Sequence, residues 1–347
     1  MSMTYHSRYY EFPEKDAAYE IGRLMGACIR ETVADVPDEL SPQMQKALAR
    51  SHEAFPQYVR EIEDRARGAG IPFNKMFYYI AGYDLFTRVP SAPKEAPDVE
   101  HCSDVMIRRA DGTVLMGHNE DNAHTAEDSF IVKHITDDGW YAELAIPEAL
   151  AGATAMWNSK GIALGCNAII GDRLAEDNLP TLLLARSFAD CGSIAEIIEQ
   201  VKAHPIVGDL CFNILDRKTG EYCSLEVRQG EYSVVYPETK YAHTNHFLHL
   251  PGAEEYNAPI FRVTHNSEFR QEKATELLEP VDPETANYND LVRILEYRGA
   301  DNMSSIRKVP IPGSTKSYTN YMVLLDSMSG MVHITDYMSH EQVSLLW

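Results

Sequence analysis

Residues 102–121 read CSDVMIRRADGTVLMGHNED, and the fold turns on this stretch. Two short β-prone runs, 103–109 and 114–118, flank Asp111-Gly112, a dipeptide that closes tight turns. Folding the second run back on the first brings the Asp121 region beside Cys102. A thiol at the start of a strand, facing a carboxylate and amides from neighbouring strands, is placed to act as a nucleophile. The plainer alternative makes Cys102 a small buried hydrophobe, as most free cysteines are.

The texture of the chain changes on either side of this point. Upstream it reads as helical. Apolar residues recur at Ile21, Leu24, Met25, Cys28 and Ile29 with helical spacing, and Ser41-Pro42 supplies a cap and a first-turn proline for a second helix. A third helical run, 58–67, stops at Gly68-Ala69-Gly70, and a fourth covers 76–85. Residues 89–97 carry three prolines and read as a linker or surface loop.

Downstream, strands are expected at 130–135 and 141–146, two helices at 179–189 and 194–203, and strands again at 212–216, 222–228 and 232–235. Helices at 267–278 and 288–297 precede two closing strands at 321–326 and 331–337. Strands, a helix pair and more strands predict layered α+β packing rather than a doubly wound sheet.

The 347 residues are 44% hydrophobic and 24% charged, ordinary for a globular chain. A net charge of -21 argues against nucleic acid, whose phosphates need basic partners. Residues 1–101 hold 12 Lys and Arg against 16 Asp and Glu, and residues 102–347 hold 19 against 36; the acidity therefore sits with the candidate chemistry, where it suits a cationic or amine substrate. No run reaches the roughly 18 apolar residues of a membrane span, and the polar start of the chain does not resemble a secretory signal. Six cysteines without such a signal point to free thiols and a cytoplasmic protein.

With Cys102-Ser103-Asp104 and the stretch ending in Asp121 in view, the sequence resembles the penicillin acyltransferase (isopenicillin N acyltransferase) family, a branch of the N-terminal nucleophile hydrolases related to choloylglycine hydrolases. Downstream matches follow in order. Residues 161–169, containing Asn167, resemble the glycine-led strand that carries an oxyanion asparagine; residues 243–247, HTNHF, resemble the second asparagine motif, placing Asn245; residues 267–270, SEFR, resemble the helix bearing a site arginine, Arg270. Residues 19–26 and 68–70 resemble the family's pro-segment.

The resemblance implies a four-layer αββα sandwich, with 1–101 as a helical N-terminal segment (the pro-segment, or alpha chain) and 102–347 as the catalytic domain (the beta chain). It implies self-cleavage before Cys102, freeing an α-amine with a reference pKa of about 7.7–8.0 that serves as base for its own thiol. Cys102 is then nucleophile, Asp121 orients the amine, and Asn167 and Asn245 polarise the carbonyl. Arg270 and His118 are substrate-facing or structural. His101 stands where well-known members carry glycine, and is expected either to slow cleavage or to carry a proton in it.

The expected activity is amide hydrolysis of a small N-acyl or N-aminoacyl compound through a thioester, with acyl transfer to an amine as the alternative. No cofactor or metal is expected. The partners are a small amide or acyl-thioester substrate and, after cleavage, the two fragments of the chain; homo-oligomerisation is compatible with this reading, nucleic acid and membrane are not. Three competing readings carry less. A metal enzyme would use His118, Glu120, Asp121 and His124, which cluster, or His243, His246 and His249, which recur every three residues; for the latter, i and i+3 on a strand face opposite ways. A papain-like protease with His246 or His333 as base lacks its signature around Cys102. A non-catalytic binding protein would have no use for the full residue set.

Overall fold

The computed structural model describes residues 8–82, 102–124, 128–171, 174–260, 266–312 and 317–347. Two sheets form its centre. The first has eight strands in the order β1-β4-β5-β6-β7-β8-β9-β10: β1 (Tyr9–Pro13), β4 (Phe130–Thr136), β5 (Gly139–Ala145), β6 (Met156–Asn158), β7 (Ile162–Ile169), β8 (Asp209–Asp216), β9 (Glu221–Arg228) and β10 (Glu231–Val235). The second has six, in the order β11-β2-β3-β12-β13-β14: β11 (Lys240–His243), β2 (Ser103–Arg108), β3 (Val114–Asn122), β12 (Tyr318–Asp326), β13 (Met331–Asp336) and β14 (Glu341–Leu346). Every pairing is antiparallel except β1 with β4.

Three apolar layers separate four structural ones, because alternation along each strand gives both faces of both sheets something to bury. Met106, Met116, Val323 and Leu325 of the six-stranded sheet meet Leu144, Trp157, Ala163 and Leu215 of the other. The outer face of the eight-stranded sheet (Val132, Leu164, Phe212, Leu225) packs on α1 (Glu14–Thr32), α2 (Pro42–Ala54), α3 (Pro56–Ala69), α4 (Phe73–Ala81), α5 (Thr181–Ser187) and α6 (Ile194–Ala203). The outer face of the six-stranded sheet (Val105, Ile107, Leu115, Leu324) packs on α8 (Ser267–Leu278) and α9 (Tyr288–Leu295). A short α7 (Ala253–Ile260) lies between β11 and α8 in the chain. The result is the αββα sandwich that the family resemblance implies.

The N-terminal helices are one of its outer layers. Arg186 of α5, buried between the rings of Tyr58 and Tyr141, pairs with Glu61 of α3 at 2.7 Å and Glu14 of α1 at 3.3 Å. The expected caps are present: Ser41 Oγ accepts from Met44 N, and Gly70 ends α3 with φ of +69°. Residues 83–85 of the fourth expected helix and the proline-rich stretch fall outside the described residues. β1 is not anticipated by the sequence; it joins the sheet edge beside β4, and Arg8 ties it to Asp336 of β13.

The motifs at 19–26 and 68–70 mark where α1 and α3 cross. A Cβ on Gly22 would lie 2.1 Å from the Arg65 carbonyl oxygen, and one on Gly68 would lie 1.9 Å from that of Tyr19. Alanine at Gly68 gains about 1 kcal/mol of helix propensity, but the obstacle is backbone and cannot rotate away. We expect Gly68→Ala to destabilise by about 1–3 kcal/mol net, read as a lower denaturation midpoint; an unchanged or raised midpoint would show that the helices separate freely.

Candidate active site

The β2–β3 hairpin closes as expected. Asp111 accepts from Thr113 N at 2.9 Å, Gly112 adopts φ of +87°, and the ladder pairs Asp104 with His118 and Ser103 with Asn119. Cys102 immediately precedes β2 and is buried. The period of two sorts the neighbouring side chains onto two faces. Cys102 and Asp104 share the face that looks between the sheets with His118 and Glu120. Ser103 and Asp121 lie on the face toward α8.

On the inter-sheet face, the Cys102 thiol donates to Glu120 Oε1 at 3.7 Å. Glu120 Oε2 meets His118 Nε2 at 3.1 Å, and His118 Nδ1 meets both Asp104 oxygens at 3.1 Å. Burial alone would lower the pKa of His118; Asp104 and the hydrogen bonds around the ring hold it well above its ordinary value, so the imidazole is a cation between two carboxylates. Gly165 of β7 lets this pair sit against the other sheet, since a Cβ there would come within 2.3 Å of Asp104 Oδ1 and 2.5 Å of His118 Nδ1.

On the helix face, Arg270 of α8 organises the site. Its Nη1 donates to the Cys102 carbonyl at 2.6 Å and to Ser103 Oγ at 2.8 Å; its Nη2 donates to Asn245 Oδ1 at 2.7 Å; its Nε donates to Asn266 Oδ1 at 3.2 Å. Burial brings the guanidinium down to about 10, against the pull of Asp121 and Cys102, so it stays charged at neutral pH. Arg270 can only donate, which fixes Asn245 with its oxygen toward the arginine and its Nδ2 on the Ala168 carbonyl at 2.8 Å. Ser267, at the start of the same helix, accepts from Asn245 N at 2.9 Å.

Asp121 is fully buried, and neither of its carboxylate oxygens has a hydrogen-bond partner of good geometry among the described residues. Burial pushes its carboxyl up to about 6, with Glu120 adding to the rise and Lys308, Arg270 and the neighbouring Thr319 opposing it.

The structure thus brings Cys102, His118, Asn245 and Arg270 into one connected set with Asp121 at its border. Asn167 is placed differently. Its Nδ2 donates to the carbonyls of His243 at 3.1 Å and Thr244 at 2.9 Å, and its Oδ1 has no partner among the described residues; it anchors the segment that carries Asn245. His101 lies outside the described residues. The recurring histidines do not converge: His243 pairs with Glu226, His246 with Ser267 and His249 with Tyr241. His246 is buried, which lowers it to about 3 with His243 and Arg270 adding to the fall. His124 pairs with Glu148. Asp104 is a site residue that motif reading does not single out, and Glu120 enters it only as a candidate metal ligand; the i, i+2 spacing of Cys102/Asp104 against His118/Glu120 is the signal that finds them as partners of the thiol.

A family model described as acyl-coenzyme A:6-aminopenicillanic acid acyl-transferase matches residues 107–325, more than half of the chain and including Asp121, Asn167, Asn245 and Arg270. The chain belongs to this family. The beta-alanyl-dopamine/carcinine hydrolase of Drosophila melanogaster is 23% identical over 211 residues, which are 54% of this chain and 54% of that protein; the match spans about half the length of that relative. Among solved structures, a mutant of the conjugated bile acid hydrolase from Clostridium perfringens superposes with a TM-score of 0.50 at 14% identity, covering 71% of this chain and 92% of its own. That likeness establishes the N-terminal nucleophile hydrolase fold. Penicillin V acylase from Agrobacterium tumefaciens covers 71% and 86% at 10% identity, with a TM-score of 0.47. Among the described residues no helix is long and apolar enough to cross a membrane.

Replacing Arg270 by lysine keeps the charge but loses the fork. At least two of the charge-assisted hydrogen bonds go with it, each worth about 1.5–3 kcal/mol. We expect Arg270→Lys to lower unfolding free energy by about 3 kcal/mol in denaturant titration; a change within about 0.5 kcal/mol, the range of an ordinary surface substitution, would remove Arg270 from this organising role.

Proposed function

We propose that the chain is an amidase with Cys102 as nucleophile, acting on a small N-acyl or N-aminoacyl compound through a thioester, and that it cleaves itself before Cys102. The observation that carries this is Asp121, a buried carboxylate without a hydrogen-bond partner among the described residues, on the side of β3 that faces the Arg270 cluster. Lys308 and Arg270 act on this carboxylate only through their charge, burying it without hydrogen bonds carries a cost, and the α-ammonium released by cleavage at Cys102 is the donor that would supply them.

In the cleaved chain the amine, with a reference pKa of about 7.7–8.0, takes the thiol proton and later returns it to the leaving amine. Asp121 fixes the amine by accepting its hydrogen bond. Asn245 donates the amide hydrogen not used by Ala168 to the oxyanion, its dipole aligned by Arg270 on Oδ1. A donor of this kind is worth about 3–4 kcal/mol. Asn167 positions Asn245 through the carbonyls of His243 and Thr244. The family description, an acyl-transferase, favours as second reading the same acyl-enzyme discharged by an amine instead of water. The name of the curated relative and the acidity of residues 102–347 support an amine-bearing substrate.

Intact mass of the wild-type chain beside Cys102→Ala tests the reading. Two fragments split before Cys102 are expected in wild type and one chain in the variant, which should lose turnover of N-acyl amines at least about a thousandfold. A variant that still turns over would overturn Cys102 as nucleophile.

Asp121 adds a pH test. In the uncut chain its carboxyl titrates at about 6, above the reference value of 3.8, so the folded state binds the proton more tightly than the unfolded one. Its burial therefore costs stability progressively as pH rises from about 4 to about 6, and the cost stays in full above that. On a Cys102→Ala background, Asp121→Asn should melt a few degrees higher at pH 8 and no higher at pH 4. Equal melting at both would mean that Asp121 is already compensated.

A further inference from the structure

The mechanism above leaves three buried, hydrogen-bonded titratable groups unused, Glu120, His118 and Asp104, and the first of them accepts from the Cys102 thiol. It also leaves a gap. The α-amine that serves as base does not exist until the bond before Cys102 has broken, so the first event needs another proton acceptor. The inference rests on the self-cleavage reading and supplies that acceptor.

The Cys102 thiol points at Glu120 Oε1 at 3.7 Å, and the second oxygen of that carboxylate is held by His118 at 3.1 Å. His118 is held in turn by both oxygens of Asp104. All four side chains project from one face of the β2–β3 hairpin and are buried. Gly165 closes the far side. Asp121 is next in chain to Glu120 on the other face, with Arg270 and Lys308 acting on it. The imidazolium stops Glu120 from turning away and, with Asp104, makes a carboxylate of fixed orientation at the thiol. We propose that Glu120, oriented by His118 and Asp104, is the base that takes the Cys102 thiol proton in the intact chain.

The step balances without an outside reagent until its last stage. Sγ gives its proton to Glu120 Oε1 and attacks the carbonyl carbon of residue 101. The bond from that carbon to the Cys102 nitrogen breaks as the nitrogen takes the proton from Glu120. A thioester on Sγ and a free α-amine remain, and water hydrolyses the thioester to the carboxylate of residue 101 and the Cys102 thiol. From then on the new amine lies between the thiol and Asp121, and the proton no longer has to pass through Glu120. Glu120 acts on the reacting atom and is a catalytic residue of this step; His118 and Asp104 are positioning residues.

Following the freshly translated full-length chain by intact mass, across pH 6 to 8, tests this. A positioned general base contributes about 100-fold or more, so Glu120→Gln should cleave at least about 100-fold more slowly than wild type. Its rate should climb about tenfold per pH unit, because a thiol with a reference pKa of about 8.5 must then lose its proton to solvent. Wild type should change little over the same range. His118→Gln, which keeps the acceptor, should slow cleavage less and keep the wild-type profile. Glu120→Asp keeps the charge and guards against a folding defect in the glutamine variant: melting like wild type, it should recover part of the rate. Cleavage of Glu120→Gln at the wild-type rate and pH profile, or no recovery in Glu120→Asp, would overturn the proposal while leaving self-cleavage intact. A wild-type chain that stays whole would instead overturn the self-cleavage reading, and this inference with it.

Discussion

A single buried guanidinium holds the site together. Removing Arg270 from water costs several kcal/mol even after relaxation, and the structure offsets this with donors matched to four acceptors from three places: the Cys102 carbonyl and Ser103, Asn245, and its own helix neighbour Asn266. Those places are the start of β2, the turn after β11 and the N-terminus of α8. Three segments far apart in the chain therefore cannot drift independently. If α8 shifts, the carbonyl of the candidate nucleophile and the oxygen of the candidate oxyanion donor shift with it. The fork geometry of arginine matters here, because a point charge on a flexible stem would leave some of these acceptors unsatisfied in a place water does not reach.

What the arginine holds is divided by the plane of the six-stranded sheet. Cys102 belongs to both sides: its thiol faces the gap between the sheets, where Glu120, His118 and Asp104 alternate charge, and its backbone faces the helices, where Arg270 and Asp121 sit. Strand alternation makes this division automatic. It needs only the hairpin register that pairs Asp104 with His118, and a slip of one residue would carry the carboxylates to the wrong faces. The register is fixed from below by apolar residues that cannot be exchanged: Met106 and Met116 in one core layer, Val105, Ile107 and Leu115 in the other. The site sits at the end of those strands, where the apolar pattern gives way to charge.

The sequence makes the hairpin and the helices legible because each rests on local rules, turn chemistry at Asp111-Gly112, capping at Ser41 and a helix stop at the glycines of 68–70, while the four-layer sandwich is legible only through the family resemblance. It makes Cys102, Asp121, Asn245 and Arg270 legible through short motifs, and the structure places them together. β1 escapes because a five-residue strand has almost no local signal, and its pairing of Tyr9 with Ile131 is visible only in the folded sheet. Glu120 and Asp104 escape as partners of the thiol for a related reason: charged residues in a strand read as solvent-facing until the register puts them opposite His118. Asn167 illustrates the limit of motif transfer. Its position on β7 follows from the motif, while the direction of its amide follows from the carbonyls of His243 and Thr244, which no local pattern encodes.

Two adjacent carboxylates with opposite surroundings complete the argument. Glu120 is satisfied on both oxygens, by a thiol and by an imidazolium; Asp121, one residue on and across the sheet, is satisfied on neither among the described residues. In a finished binding site, burying the second would be a defect. In a chain that acquires a positive charge beside it, the same arrangement is a preformed receptor for that charge, and the electrostatic relief on cleavage favours the cleaved state. On the proposed self-cleavage the two carboxylates would correspond to two stages of one molecule: Glu120 complete before the bond at Cys102 breaks, and Asp121 complete only afterwards. Strand alternation is what would let neighbouring residues serve these two stages without competing for the same proton.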